Sequence, residues 1–160
     1  MAETGDEVYQ QVEHYVSLLI RRADITKAID SQILDRSAYI LLGQLDTTGS
    51  QTISTLASRL LLDISTVSRQ IAALESKGLV HRVPHPENTR SSLFTMTAEG
   101  QRLYNLMREK RVRRYREILA DWPDEETAAL ARCLKRLNES IEVRAKRWLG
   151  DPQPQRGNGP

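Results

Sequence analysis

Apolar residues recur along this chain at two different periods, and the changes of period divide it into elements. Val8, Val12, Tyr15, Val16, Leu19, Ile20 and Ala23 follow the spacing of one helix face, which predicts a long amphipathic helix from Asp6 to about Ile29. A second helix is expected to begin at Asp35, an N-capping residue type, with Tyr39, Leu42 and Leu45 turned inward. Asp46-Thr47-Thr48-Gly49-Ser50 then reads as a turn. Thr52 is expected to cap a third helix, Ile53 to about Leu61, that buries Ile53, Leu56, Ala57 and Leu60. Asp63 is expected to cap a fourth, with Ile64, Val67, Ile71 and Leu74 as its buried stripe. Gly78 follows where a helix end needs a left-handed residue, and Lys77 beside it complements the helix dipole.

Leu79 to Val83 and Leu93 to Met96 are short strand candidates. The segment Pro84 to Arg90 between them is expected to be a loop whose prolines prevent sheet pairing. Thr97 caps a long fifth helix to about Ala120, and Trp122-Pro123-Asp124 breaks it. A sixth helix starts at Asp124 with Leu130, Leu134, Leu137 and Ile141 in register. Residues 1–5 and 149–160 are expected to be disordered, the second because it is rich in Gly and Pro and almost free of apolar groups. The expected fold is mainly α with a small β-hairpin wing (α+β). A winged helix-turn-helix occupies 34–97, and a helical dimerisation region is built from 6–33 and 98–148.

Composition narrows the function. The hydrophobic fraction of 39% is low for a compact monomer and suits long helices that complete their core by dimerising. A net charge of +2 means that any nucleic-acid footprint must come from local clustering. Cys133, the single cysteine, excludes an intramolecular disulfide and a multi-thiolate metal site. His14, His81 and His85 are scattered without a helical pair, so neither a metal nor a cofactor is expected. No apolar run approaches the roughly 18 residues of a membrane span, and no leader is evident, so a cytoplasmic protein is expected. No Gly-rich phosphate loop, nucleophile motif or framed carboxylate pair is present, which argues against an enzyme.

The chemistry lies on the fourth helix. Removing its apolar stripe leaves Ser65, Thr66, Ser68, Arg69 and Gln70 on the N-terminal turns. Arg bonds guanine bidentately, Gln bonds adenine, and hydroxyls serve bases or phosphates. Arg90, at the hairpin tip, is placed to enter a narrow minor groove. Arg82 on the first strand either reaches the DNA backbone or pairs with Glu75 or Glu87. The basic run Arg108 to Arg116 shares its helix with Leu103, Leu106, Met107, Val112, Tyr115, Ile118 and Leu119, so it is read as a solvated face.

These residues carry a resemblance. Leu56-Ala57, Thr66-Val67-Ser68-Arg69, Leu74-Glu75, Gly78-Leu79-Val80, Arg82, Arg90, Leu93 and Thr97-Ala98-Glu99-Gly100 together resemble the DNA-binding domain of the MarR (multiple antibiotic resistance regulator) family. With its flanking helices the resemblance extends over about residues 6 to 148. It implies a homodimeric, sequence-specific regulator of transcription, a repressor, bound to a pseudo-palindrome in double-stranded DNA. It also implies a small aromatic effector between the dimer helices and the DNA-binding lobe, where Tyr15, Tyr39 and Arg22 are candidates to line a cleft. The family's wing usually holds its arginine with an Asp two residues earlier. Here that position is Asn88, and Thr89 replaces a residue that is often basic. Cys133, among Leu130, Leu134 and Leu137, is expected to be a buried packing residue. Two alternatives are a thiol-based redox-sensing regulator and a winged-helix protein-interaction module that binds no DNA.

Overall fold

The structure, a computed structural model, describes residues 5–30, 33–88 and 90–150. Six helices and one hairpin follow in order: α1 (Gly5–Asp30), α2 (Arg36–Thr48), α3 (Ile53–Leu60), α4 (Ile64–Ser76), β1 (Val80–Pro84), β2 (Ser92–Met96), α5 (Ala98–Ile118) and α6 (Asp124–Gly150). Helix α1 thus takes in Gly5, and α6 continues through residues 149 and 150. The rest of the two segments expected to be disordered lies outside the described residues.

Local hydrogen bonds fix the helix starts. Asp35 accepts from the Ala38 N–H at 2.8 Å, Thr52 from Thr55 at 3.1 Å and Thr97 from Gly100 at 3.0 Å. Asp63 stands at the start of α4, but its side chain makes no cap hydrogen bond. The α4 helix ends as the sequence requires, with Gly78 in the left-handed region at φ 69°.

The strands pair antiparallel from Val80 opposite Met96 to Pro84 opposite Ser92. Pro84 is therefore the last residue of β1 and not a loop residue. A proline without an N–H is tolerated at the end of an edge strand, where no further ladder bond is needed. Gln51 adds a third, single-residue strand position: it exchanges backbone hydrogen bonds with Phe94 at 3.1 and 2.8 Å.

The core is the convergence of α2, α3, α4, the hairpin and the first half of α5. Leu41, Leu42, Leu56, Val67, Ile71, Val80 and Met107 are the largest fully buried side chains. Thr97 ties three elements together. Its hydroxyl donates to the Gly78 carbonyl at 2.7 Å while capping α5, and its N–H donates to the Leu79 carbonyl at 3.0 Å. Gly100, one turn on, packs against that carbonyl so closely that a Cβ would collide with Leu79 backbone atoms.

Three expectations about burial do not hold. Ile64 is exposed, although it shares a helix with the buried Val67 and Ile71. Val112, Tyr115 and Ile118 on α5 and Leu134, Leu137 and Ile141 on α6 are exposed too. Cys133 is likewise exposed, since the α6 stripe it neighbours is left uncovered over that stretch by the chain itself.

Candidate nucleic-acid interface

Helix α4 turns Val67, Ile71 and Leu74 into the core, which fixes what its other flank presents. Ser65, Ser68 and Arg69 are exposed there, while Thr66 and Gln70 are half-buried at the edge of the stripe. Ala72 and Ala73 continue the exposed flank with minimal bulk. Among the described residues Arg69 has no ion-pair or hydrogen-bond partner for its guanidinium. A free guanidinium with three hydroxyls around a helix N-terminus is equipped for base edges and phosphates.

The hairpin holds the two other expected contact residues differently. Asn88 accepts the Arg90 backbone N–H on its side-chain oxygen at 3.1 Å, and its carbonyl accepts from Ser91 at 3.0 Å. The carboxamide therefore shapes the tip through the backbone, and the exposed Arg90 guanidinium is unpaired among the described residues. On the other side of the tip, Glu87 N–H donates to His85 Nδ1 at 3.1 Å. Thr89 lies outside the described residues. Arg82 pairs with neither Glu75 nor Glu87. It lies opposite Phe94 in the sheet, and its guanidinium sits 5.3 Å from that ring's centre.

Sequence reasoning missed one neighbouring feature. Ser54, Thr55, Ser58 and Arg59 of α3 line an open groove of about 510 Å³ together with Glu142. The signal was present in the polar positions left over by Leu56, Ala57 and Leu60.

The MarR family pattern matches residues 34–92, which span α2 to the start of β2. YxaD of Bacillus subtilis, an uncharacterised HTH-type transcriptional regulator, is 39% identical over 132 residues, covering 81% of this chain and 92% of its own length. The chain belongs to the MarR family. Solved structures share its fold. A MarR family protein from Bacillus stearothermophilus superposes with a TM-score of 0.74 at 20% identity, over 87% of this chain and 99% of that one. FabT of Streptococcus pneumoniae, solved in complex with DNA, gives 0.69 at 18% identity, over 84% and 98%.

In this MarR chain the basic run of α5 is mostly exposed, and two of its arginines also reach toward α2 and the Tyr39–Tyr104 pair. Arg108 reaches Asp46 at 3.5 Å, and Gln101 donates to the other Asp46 carboxylate oxygen at 2.9 Å. Tyr39 and Tyr104 stack with ring centres 5.1 Å apart, with Arg111 4.6 Å from the Tyr39 ring and Arg108 5.9 Å from the Tyr104 ring. Burial, and then the neighbouring Tyr104, push the Tyr39 phenol above its ordinary pKa, so it stays neutral in this stack. Among the described residues no hydrogen bond or ring contact joins Tyr39 to Tyr15 or Arg22; Tyr15 instead meets His14 edge-on. No helix among the described residues is long and apolar enough to cross a membrane.

Proposed function

We propose that this chain binds double-stranded DNA sequence-specifically as a homodimer and represses transcription. The observation that carries this reading is the free flank of α4, where Ser65, Ser68 and Arg69 stand exposed on a helix locked to the core by its opposite side. Ser65, Thr66, Ser68, Arg69 and Gln70 contact the major groove, and Arg90 enters the minor groove from the wing. Arg82 supports the wing through Phe94 and reaches the backbone from there. The DNA complex of FabT, a protein of the same fold, supports the docking mode.

The dimer reading rests on the uncovered apolar faces of α1, α5 and α6. Two α4 helices then enter successive major grooves about 34–36 Å apart. A small aromatic anion is the proposed effector, and the Tyr39–Tyr104 stack with its two arginines supports that class. Such a ligand releases DNA if it favours a dimer whose α4 spacing is wrong, because affinity depends on both half-sites.

Footprinting on the DNA upstream of the chain's own gene tests the reading. Two protected patches one helical turn apart, bound with a Kd of about 10⁻⁸ M or tighter and weakened by salt, are expected. Binding no tighter than to scrambled DNA would contradict it. Repeating the footprint with a panel of small aromatic acids probes the effector.

A further inference from the structure

The first turn of α4 carries an apolar side chain that the core of the described residues leaves largely uncovered. Ile64 is 60% exposed, although it opens a helix whose Val67 and Ile71 are buried. Nearby Leu62 is exposed for a local reason. Its N–H donates to the Ala57 carbonyl at 3.0 Å across the left-handed Leu61, a closure that ordinarily lays the following apolar side chain along the helix. Ile64 belongs to no such cap. Helical rotation puts it about 40° from Ser68, between the buried stripe and the flank of Ser65 and Arg69.

We infer that Ile64 reads a base: its side chain packs against the 5-methyl group of a thymine in the major groove. The inference rests on α4 being the DNA-reading helix. The first residues of such a helix are the ones that meet base edges. The thymine methyl is the apolar group the major groove offers, and apolar side chains recognise it. A β-branched residue in a helix holds one main χ1 rotamer, so Ile64 is set before contact. Asp63 beside it is exposed and uncapped, and its carboxylate repels phosphates. A second copy of the chain is a poorer occupant, because the exposed neighbours of Ile64 on the α4 flank are Ser65, Ser68 and Arg69.

Deoxyuridine differs from thymidine by that methyl alone, so it supplies the test. Equilibrium binding is measured on the footprinted upstream duplex with each thymine replaced singly by deoxyuridine, for the wild type and for Ile64→Ala. One thymine per half-site is expected at which the wild type loses about fourfold in affinity, the worth of one buried methyl. Ile64→Ala, which removes the contact from both half-sites, should bind the all-thymine duplex about 16-fold more weakly and lose nothing further at that position. A wild type indifferent to every replacement overturns the inference, as does a variant that keeps the wild-type pattern. If the wild type prefers no upstream duplex over scrambled DNA, the DNA-binding reading falls and takes this inference with it, a distinct result.

Discussion

Two glycines near the hairpin do different work. Gly78 has open space around its α-carbon, and only its positive φ of 69° favours glycine. Gly78→Ala is expected to cost about 1–2 kcal/mol, the usual penalty for a side chain in that region. Gly100 has no such φ, but a Cβ there would run into the Leu79 carbonyl, and a backbone group yields little. Gly100→Ala is therefore expected to cost about 3 kcal/mol or more. Urea denaturation of both variants checks the order, and equal losses would refute the contact argument. At the wing, Asn88 orders the backbone of Arg90 and leaves the guanidinium available. Arg90→Ala should lower the salt slope of DNA binding by about 1 per wing, with little change in sequence preference.

Helix α2 is set by one carboxylate. The Ala38 N–H bonded to Asp35 holds its pKa below the ordinary 3.8, outweighing the opposing effect of burial, and Ser37 and Lys77 add to the lowering. A native pKa below the unfolded one stabilises the fold above the unfolded value, and the gain is lost as pH falls through the native value. Asp35→Ala should thus cost about 1 kcal/mol at neutral pH. The gap between variant and wild type should close once the pH is well under 3.8. Thermal melts across pH measure this.

Such caps were legible in the sequence because donor and acceptor lie three residues apart, as at Asp35, Thr52 and Thr97. The exposed flank of α4 was legible for the same reason: a helical period fixes which residues oppose Val67 and Ile71. The Arg82–Phe94 contact was not, since it depends on cross-strand register. Nor was the Gln51–Phe94 bridge, because one residue pair has no period. Ile64 and Cys133 failed for another reason. Spacing identifies an apolar face but not whether the same chain covers it.

At the scale of the molecule, that uncovered surface is the main unspent stabilisation. Val12 and Leu19 on α1, Ile118 on α5 and Leu137 and Ile141 on α6 are each more than a third exposed. Sedimentation at micromolar concentration is expected to show a dimer. Replacing both Leu137 and Ile141 by Glu should give monomers and weaken operator binding on the order of 100-fold, through loss of the second half-site. A folded monomeric variant with unchanged affinity would refute the dimer.

The proposal makes α4 the element that reads DNA, and Arg69 is the exposed cation on its free flank. The decisive measurement is the affinity of Arg69→Ala for the upstream site and for each single-base variant of it, beside the wild type. A loss of about 1–3 kcal/mol and relaxed preference at one position in each half-site are expected. Wild-type preference at every position would contradict the proposal.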